Sequence, residues 1–584
     1  MSFNRRDALR RGGVVAAITG LTGIQGSAAL AADNLKWDRE ADVVVIGSGA
    51  SGLPAAIVAR EAGCSVIVVE AQNHIGGHAI TSGGNVPLGG GTSQQKKYGI
   101  VDSPDLVFRD LTDWSVVEPN GFPDYRYNDR EIIRAFADNS VSTFEWLIAH
   151  GVVFVDKAPD GAGGNAVGNS VPREHHAAAM DWPLVQTGQP APSDSRATMS
   201  TGNGLMQPLA AAARKAGVEI LLGHKMSALH RIGGRVQGIA ADHHGAKLNI
   251  RARKAVIIAS GGSSGNVNFR RMFDPRLTEE YCGLAGMPWS DQDASGEIAA
   301  MAVGASLWGL YNQTGEFGYK VTKAARIGCQ YGYHLEWMPG SSVFDRARAT
   351  GLRVVDWQNV ITVNMLGKRF YDETGPQFTT NDFGSIDPYV QDSYLNAKNV
   401  KYNPNNFINA AMADIGDGHN GGGPIWAIFD ADAGVREKWN PAPPDVDTGA
   451  GFFFSASTIG DLARKIIMKY QRLPMPSENL EATVARYNSF VEAGTDEDFG
   501  KPKPLYKIAK APFYAAWATP VIHDTRAGLR INAKCQVIDI NGEVIPGLYC
   551  NGEAAGGFSE HGLARATCQG YIAGKHAAAE GIRT

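Results

Sequence analysis

The sequence predicts an α/β fold that is built around a parallel β-sheet. Three observations predict it: a glycine-rich turn directly follows a short apolar run, a helical segment and a second apolar run come next, and an acidic residue ends that second run. The chain has 584 residues, of which 44% are hydrophobic and 20% are charged. This length and composition are typical of a globular chain with roughly two to four domains.

The first βαβ unit is expected over residues 43–70. Residues 43–46 form an apolar run suited to a buried parallel strand, residues 53–62 are helical, and residues 65–69 form a second buried strand that ends at Glu70. The turn after the first strand has the pattern GxGxxG and includes Gly47, Gly49, Ala50, Ser51 and Gly52. Such a turn lets a pyrophosphate approach the helix N-terminus, and the acid accepts hydrogen bonds from ribose hydroxyls. The unit therefore predicts a Rossmann-like dinucleotide site for FAD or NAD rather than NADP.

Two later segments have the same strand-then-glycine character. Residues 254–262 read as a buried strand that ends in the small residues Ser260, Gly261 and Gly262. Residues 542–557 read as a short strand followed by a glycine-rich loop that carries Glu553. By composition alone, neither segment distinguishes a flavin from a nicotinamide cofactor.

The N-terminus has the layout of an export signal at residues 1–31. A basic stretch containing Arg5 and Arg6 precedes an apolar run, and Ala29-Leu30-Ala31 supplies a small-x-small cleavage site. The arginine pair predicts a twin-arginine signal and a periplasmic protein that is exported already folded. A Sec signal or a basic disordered tail is the alternative. The apolar run is too short to span a bilayer, so we expect no stable membrane anchor.

Charge and cysteine spacing narrow the function classes. The formal net charge is −4 and no long basic run occurs, so a nucleic-acid partner has no support. The six cysteines are scattered without a CxxC or CxxCH pattern, which favours buried small residues and predicts no metal site.

The order of these motifs resembles the flavoprotein family of soluble fumarate reductases, urocanate reductases and 3-ketosteroid dehydrogenases. The resemblance rests on GxGxxG and Glu70, on GGHAITSGG at 76–84, on VIIASGG at 256–262 and on GLYCNGE at 547–553. It covers the chain from about residue 42 to the C-terminus. It implies that the cofactor is FAD, and it implies a discontinuous FAD-binding domain at 40–319 and 506–584, interrupted by an α+β capping domain at 320–505.

The resemblance also implies which residues bind the cofactor. The loop at 76–84 would bring backbone N–H groups to the flavin and pyrophosphate, with Gly76, Gly77, His78, Ser82 and Gly83 as its candidates. Ser260, Gly261, Gly262 and Glu553 would complete the site. In the respiratory relatives a histidine in the comparable loop is bonded covalently to the flavin. For His78 both a covalent bond and a plain hydrogen-bonding or packing role stay open.

Enzymes of this family add or remove two hydrogens across a C–C bond beside a carboxylate or ketone. The chemistry needs an acid or base for the proton, and a donor for charge on the oxygen. His561 and Arg565 keep the HGxxR pattern of the fumarate-type relatives, in which the arginine grips a substrate carboxylate. We expect His561 to be the acid or base and Arg565 the clamp. The alternative is that Arg565 forms a structural ion pair and His561 packs in a loop.

Two further segments resemble substrate-site motifs of the family. His523 matches the first of two adjacent histidines in fumarate reductases, Asp524 replaces the second, and Arg526 is an added cation. Tyr371 lies in VNMLGKRFYDE at 363–373, which resembles the capping-domain pattern VNxxGxRFxxE. The arginine that follows this pattern in fumarate and urocanate reductases corresponds here to about Gln377, which argues against fumarate reduction. Tyr371 and its aromatic neighbours fit either a larger, less charged ring substrate or the core of the capping domain, the neighbours being Tyr331, Tyr333, His334 and Trp337.

The sequence thus predicts an exported FAD-dependent oxidoreductase of the CH–CH type. It would transfer a hydride between flavin N5 and a carbon beside a carbonyl or carboxylate, in reduction or desaturation of a small molecule. An FAD enzyme acting on C–O or C–N bonds is the alternative, and a flavin-binding electron carrier without catalysis is a third interpretation. Because the chain has no second dinucleotide fingerprint, we expect a separate electron donor or acceptor: a cytochrome, a quinone system or O₂.

Overall fold

The computed structural model describes residues 35–112, 128–160, 170–180, 201–283, 287–309, 319–332, 336–340, 343–374, 379–380, 386–387, 423–558 and 562–582. The predicted signal at 1–31 therefore lies outside the described residues, as do Tyr333, His334, Gln377 and His561. Within these ranges, no helix combines the length and the apolar character that crossing a bilayer requires.

The strands are β1 (Arg39–Ile46), β2 (Val66–Glu70), β3 (Asn85–Pro87), β4 (Glu174–His176), β5 (Glu219–Leu222), β6 (Lys225–Ile232), β7 (Arg235–His243), β8 (Ala246–Ile258), β9 (Cys282–Gly283), β10 (Leu307–Trp308), β11 (Tyr319–Thr322), β12 (Arg326–Ile327), β13 (Leu352–Arg353), β14 (Ile361–Val363), β15 (Thr379–Thr380), β16 (Ile386–Asp387), β17 (Trp426–Asp430), β18 (Phe453–Ala456), β19 (Phe513–Trp517), β20 (Val521–Thr525), β21 (Gly528–Leu529), β22 (Gln536–Ile538) and β23 (Val544–Cys550).

The helices are α1 (Gly52–Glu61), α2 (Ser93–Lys97), α3 (Pro104–Asp110), α4 (Arg130–Ala149), α5 (Thr201–Lys215), α6 (Val267–Arg270), α7 (Ser295–Ala302), α8 (Phe344–Ala347), α9 (Ala431–Glu437), α10 (Ile459–Lys465), α11 (Ser477–Ala493) and α12 (Leu563–Ala579). Short 3-10 turns cover Gly77–Thr81, Trp357–Asn359 and Gly552–Ala554.

The main sheet joins the two ends of the chain. Its strand order is β22-β23-β8-β1-β2-β5, and β6 and β7 extend it beside β8. Strand β1 runs parallel to β2 and to β8, and β23 runs parallel to β8, so the C-terminal segment completes a sheet that the N-terminal segment begins. This confirms the predicted α/β class.

The centre of this sheet is buried, as its apolar strands predict. Val43, Val44 and Val45 of β1 have no exposed surface. Parallel sheets are covered by helices, and here α1 and α12 pack against the strands and against each other. The predicted first strand at 43–46 is the C-terminal half of β1, and the predicted second strand coincides with β2 within one residue.

A second, antiparallel sheet has the order β14-β17-β19-β18. Alternate side chains of its strands enter two hydrophobic clusters, one of which contains Ile428 with Leu462 of α10 and Leu480 of α11. The other contains Phe429 and Tyr371. This sheet with its helices has the α+β character expected of the capping domain. Strand β19 pairs within it although it follows the predicted boundary at residue 505, because strand pairing rather than local composition decides where such a sheet ends.

The cysteines behave as the sequence predicts. All six are buried and none forms a disulfide. Burial raises the pKa of the Cys329 thiol to about 12, so this group stays a neutral, small apolar residue at ordinary pH.

Candidate active site

Three cofactor motifs meet at one edge of the main sheet. Ile46 at the end of β1 and Cys550 at the end of β23 both pair with Ile258 at the end of β8. Ligands of open α/β sheets bind outside the carboxyl ends of the strands, where the connections diverge. The segments that follow these strands, beginning with Gly47, Ala259 and Asn551, therefore border a common site although they are far apart in the sequence.

The glycines of the first turn have different roles. Gly47 has a φ of +102°, and a Cβ there would lie 2.3 Å from the carbonyl oxygen of Ala259. A Cβ at Gly52 would lie 2.0 Å from the carbonyl oxygen of Gly47, whereas a Cβ at Gly49 would meet nothing closer than 3.8 Å. Packing thus requires the first and third glycines, and the second leaves open space in front of α1. This cradle fits the pyrophosphate of FAD, which needs close backbone approach at a helix N-terminus.

Glu70 is a buried carboxylate at the end of β2. Its Oε2 atom accepts hydrogen bonds from the backbone N–H of Ser48 at 2.9 Å and from the Ser48 hydroxyl at 2.7 Å, and its Oε1 atom accepts from the N–H of Gln72 at 2.9 Å. Burial raises the pKa of Glu70 above its ordinary value, although these hydrogen bonds act in the opposite direction. The network holds the acid in place, where it fits the ribose contact expected from the sequence.

The loop at 76–84 is folded around left-handed glycines and a 3-10 turn. Gly76 has a φ of +120° and Gly77 a φ of +50°. The Ser82 hydroxyl donates to the carbonyl oxygen of Ala79 at 2.8 Å, so this side chain stabilises the loop itself. A Cβ at Gly83 would meet nothing closer than 3.5 Å.

His78 connects this loop to two other segments. Its Nδ1 atom lies 2.9 Å from the Gln292 amide nitrogen, and its Nε2 atom lies 3.5 Å from Glu553 Oε2. Both ring nitrogens therefore have a polar neighbour, which favours the hydrogen-bonding role over a covalent bond. Gln292 could not be predicted from the sequence, since no motif surrounds it.

The Ser260–Gly262 segment borders β20 and the Glu553 loop. A Cβ at Gly262 would lie 2.3 Å from the Thr525 hydroxyl and 3.2 Å from Glu553 Oε2. The backbone N–H of Ser263 donates to the same Thr525 hydroxyl at 3.1 Å. Gly261 has a φ of +84° and open space around its missing Cβ. Thr525, at the end of the strand that contains His523, is a second residue at this edge that no sequence motif indicates.

Arg565 is buried beneath the Glu553 loop. Its guanidinium donates to the carbonyl oxygen of Phe558 at 2.9 Å, to that of Gly552 at 3.0 Å and to that of Ala555. Only 2% of the residue is exposed. This geometry, with backbone carbonyl oxygens among the partners of the guanidinium, favours the structural interpretation of Arg565 over the carboxylate clamp.

The other predicted substrate residues differ in how much the structure describes of them. His523 and Asp524 belong to β20, which pairs with β11, but their side chains fall outside the described part of the structure. Arg526 directly follows β20 and is buried. Tyr371 is 1% exposed and stacks on Phe370 at 5.0 Å between ring centroids, which favours the core interpretation of this tyrosine.

One group in the described residues has metal-ligand chemistry and lies at strand β4, whose Glu174 forms a β-bridge with Asp160. It consists of Asp160, Glu174 and His176, whose ligand atoms all lie within 4.8 Å of one another. His176 Nε2 lies 3.0 Å from Asp160 Oδ2, and Lys157 Nζ lies at the same distance from that oxygen. These ion pairs account for the arrangement without a cation, so the prediction of no metal site stays a prediction.

The chain resembles an FAD-binding family and proteins that are named as oxidoreductases or dehydrogenases, in agreement with a cofactor site at this edge of the sheet. A family model described as "FAD binding domain" matches residues 42–566. The NADH:fumarate oxidoreductase of Klebsiella pneumoniae (strain 342) is 26% identical over 91% of this chain and 47% of its own length. The 3-oxosteroid 1-dehydrogenase of Mycolicibacterium smegmatis (strain ATCC 700084 / mc(2)155) is 26% identical over 88% of this chain and 92% of its own length. The open conformation of a flavocytochrome c3 fumarate reductase shares the fold with a TM-score of 0.61 and 22% identity, covering 96% of this chain and 81% of that one.

The family match covers most of the chain, whereas the chain spans only about half the length of the Klebsiella relative. The match confirms the sequence-based predictions of an FAD-binding fold, of FAD as the cofactor and of an oxidoreductase. The glycine cradle, the Glu70 carboxylate and the converging loops all lie within the residues that the family model matches. This chain belongs to the FAD binding domain family.

Proposed function

We propose that this chain is an FAD-dependent oxidoreductase that transfers a hydride between flavin N5 and a carbon beside a carbonyl or carboxylate group. The observation that carries the proposal is the meeting of the Gly47–Gly52 turn, the His78 loop and the Glu553 loop at one sheet edge. Relatives at 26% identity that are named as fumarate reductases and as 3-oxosteroid dehydrogenases support the C–C chemistry. Bound FAD would supply the hydride donor or acceptor.

The substrate class that we propose is a neutral ring ketone rather than a dicarboxylate. A dicarboxylate needs cationic side chains that face it. The buried Arg565 instead donates hydrogen bonds to carbonyl groups of its own chain. The position at which the fumarate-type relatives have a second arginine corresponds here to about Gln377. A ketone oxygen needs only one hydrogen-bond donor or cation beside it, so a ketone requires fewer cationic side chains than a dicarboxylate.

We assign the proton-transfer role to His561, as the sequence predicts. It would give a proton to, or take one from, the carbon next to the hydride-accepting carbon. Arg526, buried after β20, would stabilise charge on the substrate oxygen, with His523 as a further polar group on that strand. We expect His561→Ala to retain FAD and to lose flavin–substrate electron exchange, whereas His561→Lys keeps a titratable group and part of the rate.

The experiment that tests the function is anaerobic flavin absorbance against matched saturated and unsaturated compounds. The panel contains ring ketones, steroids, aryl-propenoic acids and fumarate. Reoxidation of reduced FAD by an unsaturated ketone indicates a reductase, and bleaching of oxidised FAD by a saturated one indicates a dehydrogenase. A response to fumarate alone would contradict the substrate class. Silence toward the whole panel with turnover of alcohols or amines would replace the C–C assignment by the C–O or C–N alternative.

We further propose export through the twin-arginine pathway and a separate electron partner. The arginine pair Arg5-Arg6 and the single dinucleotide fingerprint support these two points. Replacement of both arginines by lysine keeps the positive charge of the segment. If the protein is exported by the twin-arginine pathway, this variant should stay in the cytoplasm. If it is exported by the Sec pathway instead, export should be unchanged. Cell fractionation with FAD fluorescence distinguishes the two.

A further inference from the structure

Glu297 is a buried carboxylic acid beside the cofactor edge. It lies in the first turn of α7 and has no exposed surface. The residue before it, Gly296, packs so closely on the end of β8 that a Cβ there would lie 2.3 Å from Ser260 Oγ and 2.5 Å from Ile258 Cγ2. Glu297 therefore stands next to the Ser260–Gly262 segment, one of the three that border the FAD site.

The surroundings of Glu297 contain little to stabilise a negative charge. Within the described part of the chain, no other residue donates a hydrogen bond to either carboxylate oxygen, and only the backbone N–H of Glu297 itself favours the charged form. The charged groups that act on it are the carboxylates of Asp293 and Glu553, and it acts in turn on the Cys550 thiol at the end of β23. The cation on the neighbouring strand β6, Lys225, is ion-paired with Asp293.

These surroundings determine the protonation state. A fully buried carboxylate without a charged partner is strongly disfavoured, whereas the neutral acid avoids most of that desolvation cost. Burial, reinforced by the two neighbouring carboxylates, raises the pKa of Glu297 well above its ordinary value. Burial without a charged partner therefore favours the neutral, protonated form of Glu297.

We propose that Glu297 is a positioning residue for bound FAD. Because it stays a neutral acid, it adds no negative charge of its own beside the reduced cofactor. Reduction of FAD by two electrons with uptake of one proton adds one negative charge at the site. An ionised carboxylate next to the Ser260–Gly262 segment would oppose that charge and lower the reduction potential. The proposal rests only on FAD binding, so it stands even where the substrate class proposed above fails.

The test is a spectroelectrochemical titration of the FAD-loaded protein from neutral to alkaline pH. At neutral pH we expect the same midpoint potential for wild type and for Glu297→Gln, because glutamine resembles the neutral acid in shape and charge. At alkaline pH the wild-type potential should fall further than that of the variant. Glu131→Gln, which removes an exposed carboxylate from α4, should follow the wild type. Identical curves for wild type and Glu297→Gln, or a difference already present at neutral pH, would overturn the proposal.

Infrared spectroscopy gives an independent readout that needs no turnover. The wild-type protein should show the carbonyl stretch of a protonated carboxylic acid at neutral pH, and Glu297→Gln should lack it. A wild-type spectrum without such a band would overturn the proposal even where the variant does not fold. Failure of the substrate panel would leave both readouts unaffected, which separates this proposal from the proposed reaction.

Discussion

Arg565 Nη2 lies 3.0 Å from the carbonyl oxygen of Gly552, the residue that precedes Glu553 in the cofactor loop. Through this contact and those to Ala555 and Phe558, one guanidinium holds the loop that faces His78. Arg565→Lys should therefore weaken FAD retention and lower the stability of the protein, because each buried carbonyl left unsatisfied costs about 1–3 kcal/mol. Urea unfolding of the loaded protein and FAD fluorescence after gel filtration measure the two effects.

A carboxylate clamp would give the opposite pattern for Arg565→Lys. FAD retention and stability would stay at wild-type levels, and KM would rise for carboxylate substrates only. The matched control is Arg464→Lys, since Arg464 forms an exposed ion pair with Asp461 on α10, where little change is expected.

The second and third glycines of the turn, Gly49 and Gly52, predict contrasting variants. Gly52→Ala would place its Cβ 2.0 Å from the Gly47 carbonyl oxygen and should destabilise the fold, with or without FAD. Gly49→Ala meets only the Gly76 carbonyl oxygen at 3.8 Å, so the fold should persist while FAD affinity falls. Thermal unfolding of the apoprotein and FAD titration separate the two effects. Normal FAD affinity in Gly49→Ala would contradict the placement of the pyrophosphate.

The C-terminal helix packs on the first helix through glycines. A Cβ at Gly570 of α12 would lie 2.3 Å from the carbonyl oxygen of Ser51, and one at Gly574 would lie 2.6 Å from that of Ala55. Gly570→Ala should separate α12 from α1, destabilise the protein by about 1–3 kcal/mol and weaken FAD binding, because overpacking forces backbone shifts. The control is Gly434→Ala in α9, where the Cβ meets nothing within 4 Å and alanine should stabilise by roughly 0.5–1 kcal/mol. Equal stability of the two variants would contradict the close packing of α12.

A buried ion network supports the second sheet. Glu373 accepts hydrogen bonds from the Arg369 guanidinium at 2.9 Å and lies 3.3 Å from Lys501 Nζ, and the side chains of all three residues are at most 4% exposed. Burial alone would raise the pKa of Glu373, but the charges of Arg369 and Lys501 outweigh it and lower the pKa from 4.5 to about 2. Because the folded pKa is the lower one, this stabilisation is complete above the ordinary pKa of 4.5 and is lost as the pH falls from there towards 2.

Glu373→Gln should destabilise the protein by roughly 3–5 kcal/mol at neutral pH, since it leaves a buried cation uncompensated. The free energy of unfolding of this variant should also decline less than that of wild type as the pH falls below the ordinary glutamate pKa. Denaturant titrations at neutral and acidic pH measure both. If the free energy of unfolding declined in parallel in the two proteins, Glu373 would not be the source of this pH dependence.

His78 distinguishes covalent from non-covalent FAD. Because Gln292 and Glu553 lie beside its two ring nitrogens, we expect FAD to leave with the supernatant after acid precipitation. Glu553→Gln should loosen the loop and lower FAD affinity without changing this release. Flavin fluorescence that stays with the denatured chain, and is lost in His78→Ala, would establish the covalent bond instead.

Local pattern was enough to predict a dinucleotide-binding unit. The turn at Gly47–Gly52, the strand before it and Glu70 lie within a short stretch of chain, so strand, turn and helix propensities report on the same unit. The substrate half was less accessible. Tyr371 belongs to a motif on the sequence, yet it lies in the core of the second sheet, because side-chain direction depends on the partner strands rather than on the motif.

The dinucleotide-binding unit could be predicted from the sequence alone, and the resemblance of its motif order to a flavoprotein family predicted that the dinucleotide is FAD. The position of Arg565 at the loop backbone, of Gln292 and Thr525 beside the candidate site and of the buried Glu297 could be recognised only in the folded chain. Separation along the sequence explains this difference. These contacts join segments that meet only when β1, β8 and β23 pair, and no local pattern records which side chains such pairing brings together.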